Sequence, residues 1–208
     1  MLTVYGEGRG FRVVWLLEEM GLPYRFRPVD MLAGVENDPE FLQINPSGFI
    51  PALVDGATVM VESIAIMDYL LARYGPHPLA PDPQSDAFAP YRQFLMMGEA
   101  GLAGASYWVL NARFLPTEAE RDNPTVRHAL RQYHNRMKLV RRQLERTRYL
   151  AGDGFTAADI SVAYALLQSW KSAGIALEAP EAAYLDRCRD RDGFRRALEV
   201  CTSHASWG

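Results

Sequence analysis

Ile50-Pro51-Ala52-Leu53-Val54-Asp55-Gly56-Ala57-Thr58-Val59-Met60-Val61-Glu62-Ser63 packs an X-Pro junction, two short strands, a tight turn and a helix start into one stretch. Asp55-Gly56 between two apolar runs favours a hairpin, because glycine accepts the positive φ that such turns require. Beyond it Ile64, Met67, Leu71 and Tyr74 mark one face of a helix opening near Glu62. An X-Pro bond is the common place for a cis peptide. A cis Pro51 turns the chain sharply into the next strand and leaves the Ile50 N–H and C=O facing outward, able to pair with an extended peptide as a strand edge does. A helix starting at Glu62-Ser63 points N–H groups and partial positive charge into its N-terminal pocket. One proline alone is equally a rigid turn, and helix starts are common. Set across a hairpin from each other, the two features read as paired anchors.

Upstream, Leu2-Thr3-Val4-Tyr5 reads as a buried strand, Gly6 to Gly10 as a turn, and Phe11 to Met20 as a helix stopped by Gly21 and Pro23. Tyr24 to Val29 alternates at period two, and a weaker helix runs from about Glu36 to Ile44. A right-handed crossover would join the first two strands in parallel. Downstream, Gly75-Pro76-His77-Pro78 and Pro81-Asp82-Pro83 punctuate the chain. The expected division is an α/β domain over residues 1–77, a linker over 78–84 and an all-helical domain over 85–208. In the last, long helices are predicted over about 85–113 and 125–148, with shorter ones beginning near Thr156, Pro180 and Asp192. Thr156 and Asp159 fit a capping box, with Phe155 and Ile160 placed to pack across the turn.

The 208 residues carry a net charge of −3, with 49% hydrophobic residues, enough for a substantial core. Residues 1–77 hold five Arg and no Lys against ten acidic residues. Neither nucleic acid nor an anionic membrane is an expected partner. The run from Arg136 to Arg142 reads as a solvated helix face. No secretory signal is apparent, and the two cysteines, Cys188 and Cys201, lack the spacing of a metal or dithiol site. His77, His128, His134 and His204 show no ligand spacing and read as surface or interface residues. A cytoplasmic protein without a metal is the expectation.

The element order of the first half is that of the thioredoxin-like fold, without its CxxC. The motifs resemble those of cytosolic glutathione transferases. Asn45 to Leu53 is similar to that family's loop into the third strand, Val61 to Ile66 to its strand-to-helix junction, residues 11–21 to its first helix, and Phe155 to Asp159 to its second-domain cap. The resemblance covers nearly the whole chain. It implies a thioredoxin-like N-terminal domain plus an all-helical C-terminal domain, glutathione as co-substrate, a homodimer, and conjugation of the thiol to a small apolar electrophile as in detoxification. It also implies that the Ile50-Pro51 backbone pairs with the cysteinyl residue of glutathione, that Ser63 binds the γ-glutamyl carboxylate, and that Glu62 takes the γ-glutamyl ammonium.

A free thiol has a pKa of about 8.5 and needs help to ionise. The family supplies a Ser, Tyr or Cys at or just after the first strand. Tyr5-Gly6-Glu7-Gly8-Arg9-Gly10-Phe11 has no Ser or Cys, and the usual Ser position falls on Glu7 or Gly8. Glu7 is expected to point away from the sulfur. Arg9 ranks first as thiolate stabiliser, helped by the N–H groups of Gly10 and Phe11, and Tyr5 second. Each has an ordinary alternative, a surface arginine and a core aromatic. Phe49 stands where relatives often carry Lys or Gln, so Asn45 or a cation of the second domain is expected to meet the glycyl carboxylate. Phe11, Tyr107, Trp108 and Phe114 are candidate walls of an acceptor pocket, and Trp207 either caps that pocket or frays. Two rival readings share this scaffold, a non-catalytic binding or regulatory module and a glutathione-dependent isomerase.

Overall fold

The computed structural model describes residues 1–208. Strands β1 (Leu2–Tyr5), β2 (Tyr24–Arg27), β3 (Ala52–Asp55) and β4 (Thr58–Val61) form one mixed sheet in the order β2-β1-β3-β4. β1 and β2 run parallel, joined through α1 (Gly10–Met20), whereas β3 lies antiparallel to both β1 and β4. Gly21 ends α1 at φ 65°, its N–H donating to the Leu17 C=O. The side chains of β1 divide between two faces, as the two-residue period requires. Tyr5 meets Phe41 of α2 (Pro39–Ile44), together with Ala52 and Val29. α1 is apolar almost all round and is buried from Gly10 to Leu17. α3 (Ser63–Tyr74) follows β4 and packs on α1. This is the thioredoxin-like plan expected of the first half.

The contacts divide the chain differently from the expected 1–77, 78–84 and 85–208. One compact unit comprises Met1–His77 with Asp190–Gly208, and the other Pro78–Arg189. The reason lies in α10 (Asp192–Val200), whose Phe194 packs edge-on against Phe11 and Trp15 of α1. Arg191 forks onto Glu19 with two bonds of 2.8 and 2.7 Å, and Arg196 bonds Glu18 at 2.7 Å. A closing 3-10 helix, Thr202–Trp207, completes the unit. It removes one alternative from each of two expectations. His204 is 7% exposed and Trp207 5%, so neither is a surface residue or a frayed end. Their rings pack on each other and on Phe11. Phe11 is itself fully buried, which removes it from any pocket wall.

The second unit is all helix. α4 (Phe88–Met96) runs through a π-helical segment, Met97–Ala103, into α5 (Gly104–Ala112). A short α6 (Glu118–Arg121) leads to α7 (Pro124–Leu144), capped by Asn123. α8 (Ala157–Leu167) is buried along its whole length and α9 (Ala179–Arg189) closes the unit. Gly98 lets the π-helical segment and α8 approach closely, since a Cβ there would strike Ser161. The expected linker is partly built in. Leu79 is buried and its C=O accepts from the Ala157 N–H at 2.9 Å. At the α8 start the Asp159 carboxylate accepts from the Thr156 N–H at 2.8 Å, as the capping box requires, while the Thr156 hydroxyl donates to the same carboxylate at 3.0 Å. Leu150 N–H and Tyr184 hydroxyl add bonds of 2.9 and 3.0 Å. Burial pushes this carboxyl up, to about 6, against the pull of its four donors. No helix is long and apolar enough to cross a membrane.

Candidate functional site

The sheet register assembles the site. Ala52 pairs with Tyr5 on one side and with Val61 on the other. Gly6, Pro51 and Glu62 are therefore the next residues past the same end of three adjacent strands. The Ile50-Pro51 bond is cis. Ile50 lies outside the ladder, and no turn or loop hydrogen bond uses its N–H or C=O. Its side chain instead carries the first loop. A Cβ on Gly6 (φ 82°) would collide with the Ile50 side chain, Gly8 (φ 54°) sits against Ile50 Cδ1, and Gly10 against Pro51 Cβ. At Gly6 close approach and positive φ together require glycine. Arg9, half-buried, is thereby held in the loop that covers Ile50 and Pro51.

At the neighbouring strand end, Glu62 is exposed and has φ 69°, the one non-glycine residue of the chain with positive φ. Backbone strain of this kind persists where surrounding structure enforces it, often at binding sites. It delivers the chain into α3, which begins without a side-chain cap. The first N–H groups of an α-helix have no partner within it, so a ligand carboxylate can satisfy them. Ser63 is 2% exposed, and its Oγ accepts from Arg12 Nη1 at 3.0 Å. The Ser63 hydroxyl hydrogen remains available to donate, with a guanidinium charge one bond behind it. Arg12 is the residue that sequence reasoning missed. Its signal was a lone cation in an otherwise apolar run from Phe11 to Leu17, all of it buried.

The remaining candidates fall as follows. The Tyr5 ring lies in the core cluster, 6.2 Å from Phe41, with the Arg27 guanidinium 5.6 Å from its centroid. The Gly10 and Phe11 N–H groups donate to Glu7 and Gly8 C=O at 2.7 and 3.1 Å, so they are spent inside the loop and cannot serve a sulfur. Asn45 is buried, with Nδ2 donating to Phe49 C=O at 2.6 Å and Oδ1 accepting from Ser47 N–H and hydroxyl. These bonds brace the loop from Asn45 to Phe49. Phe49 is 73% exposed. Glu7 turns to the C-terminal 3-10 helix, where its Oε2 accepts from the Ser203 N–H at 2.8 Å. In the helical unit Tyr107, Trp108 and Phe114 are exposed, and a recess there is lined by Trp108, Leu115, Pro124 and Val126 among others. No cluster of three metal-ligating side chains occurs.

Comparison with known proteins matches residues 10–73 to the family model "Glutathione S-transferase, N-terminal domain" and residues 64–188 to "Glutathione S-transferase, C-terminal domain". Glutathione S-transferase 3 of Zea mays is 34% identical over 165 residues, covering 78% of this chain and 73% of the maize protein. A zeta-class glutathione S-transferase of Euphorbia esula is 49% identical over 71 residues, 34% of this chain and 32% of that protein. The chain thus spans about a third of that relative. Among solved structures, the theta-class glutathione S-transferase from Xanthomonas axonopodis pv. citri, with glutathione bound, superposes with a TM-score of 0.79 at 27% identity, over 95% of this chain and 96% of that one.

Proposed function

Because the chain belongs to the glutathione S-transferase family of enzymes, whose co-substrate is glutathione, we propose that it conjugates the glutathione thiol to a small apolar electrophile, acting in the cytoplasm as a homodimer. One observation carries the reading. The strained Glu62 and the uncapped, Arg12-backed Ser63 share a strand end with cis Ile50-Pro51. The Ile50 backbone takes the cysteinyl residue as an edge strand would. Ser63 and the α3 N-terminus take the γ-glutamyl carboxylate, and Glu62 takes the ammonium. Anchoring both ends of the γ-glutamyl-cysteinyl unit fixes the sulfur beside the first loop, which supplies proximity. Arg9 then favours the thiolate by charge. Tyr5 ranks below it, because its ring is engaged in the core.

Glutathione should raise the melting temperature of the wild-type protein, and Ser63→Ala should largely abolish that rise. A panel of electrophiles should yield turnover with at least one. Tight glutathione binding with no turnover across a broad panel would leave a binding module, not a transferase. The likeness to a zeta-class protein favours a second reading, a glutathione-dependent isomerase. Product analysis separates the two, since a transferase consumes glutathione and an isomerase regenerates it.

A further inference from the structure

The glycine-rich first loop reaches the C-terminal 3-10 helix through the Glu7 side chain. Glu7 Oε2 accepts from the Ser203 N–H at 2.8 Å and from the Ser203 hydroxyl, with His204 Nδ1 3.4 Å away. Ser203 and His204 belong to the 3-10 helix Thr202–Trp207, which is fixed from behind. The His204 ring stacks on Phe11 with centroids 5.3 Å apart, and Trp207 packs edge-on against His204 at 4.2 Å. The titratable groups facing Glu7 are His204 and Cys201; Arg9 follows two residues later in the same loop. Cys201 is fully buried, which pushes its thiol up, with the Glu7 charge adding to the effect. It stays protonated and brings no competing charge.

A carboxylate beside a thiol opposes its ionisation, and Glu7 sits two residues before the cation that favours it. We propose that the C-terminal 3-10 helix is a charge-sequestering element of the thiol site: by holding Glu7 on Ser203 and His204, it keeps that carboxylate off the bound sulfur and leaves Arg9 as the charge the sulfur meets. The proposal rests on the reading of Ile50-Pro51 and Glu62-Ser63 as a glutathione site. Glu7, Ser203 and His204 are positioning residues, acting on the thiol through the loop.

The test is the ultraviolet thiolate absorbance of bound glutathione, titrated against pH in wild type, Ser203→Ala, Ser203→Pro, Glu7→Gln and the double variant Ser203→Ala/Glu7→Gln. Each Ser203 variant should lower the thiolate fraction at neutral pH, by up to about tenfold. Glu7→Gln should match or exceed wild type, and the double variant should recover to the Glu7→Gln level. That recovery is the readout a merely structural role does not produce, since a loop loosened at Ser203 stays loose when Glu7 loses its charge. A double variant as poor as Ser203→Ala overturns the proposal, as does an unchanged titration in the Ser203 variants. Should Ser203→Pro fail to fold, Ser203→Ala keeps the backbone and decides alone. Calorimetry on the wild type separates the two levels. Absence of glutathione binding brings down the site reading and the proposal with it, whereas binding with an unresponsive thiol overturns the proposal only.

Discussion

Arg12 and Ser63 meet through one buried hydrogen bond of 3.0 Å, and that bond links the helix after β1 to the helix after β4. Arg12→Met keeps the apolar stem while removing the guanidinium and its charge. That change leaves the Ser63 hydroxyl unpositioned and the γ-glutamyl carboxylate without the cation behind it, so the Kd for glutathione should rise, on the order of tenfold, by titration calorimetry. An unchanged Kd would remove Arg12 from the site. Gly6 makes a different kind of contribution. Its φ of 82° and its contact with Ile50 both forbid a side chain. Gly6→Ala should cost about 1–3 kcal/mol by chemical denaturation, because it adds strain as well as a clash. A variant as stable as wild type would mean that the loop moves freely off Ile50.

At the scale of elements, α8 depends on its first turn. Asp159 gathers four donors in a fully buried position, from Leu150, Thr156 twice and Tyr184. Thr156→Ala should cost about 1 kcal/mol, the usual effect of losing a cap. Asp159→Ala leaves buried N–H and O–H groups without their acceptor and should cost roughly 3–5 kcal/mol by urea denaturation. Equal effects of the two changes would show that the carboxylate, against the geometry, does no more than the hydroxyl. This cap was legible in the sequence because its members lie three residues apart, as was the hairpin that brings Pro51 and Glu62 to one end of the sheet. Local periodicity and turn chemistry carry such features. The role of Asn45 was not legible, since a buried bracing amide and a ligand-binding one read alike until the Phe49 and Ser47 partners are placed. Nor was the contact of Glu7 with Ser203, whose members are separated by nearly the whole chain.

Over the whole molecule, the burial of His204 couples stability to pH. Desolvation holds its imidazole below the ordinary value of 6.5, only partly offset by Glu7. A histidine whose folded pKa is depressed contributes stability that is present above the unfolded pKa and is lost as pH falls through the folded one. Stability should therefore decline below about pH 6.5, and His204→Phe, which keeps a ring on Phe11, should flatten that decline. Equal acid sensitivity in the two proteins would assign the decline to other groups. The same packing of α10 and the 3-10 helix on α1 bears on how the protein is made. Phe11 and Trp15 lie against Phe194, supplied by the last nineteen residues of the chain. During translation the first seventy-seven residues leave the ribosome long before that cover is synthesised. An excised fragment of residues 1–77 is expected to aggregate, and a fusion that appends 190–208 to it by a flexible linker should restore its solubility. Equal solubility of fragment and fusion would show that the sheet and its three helices suffice alone.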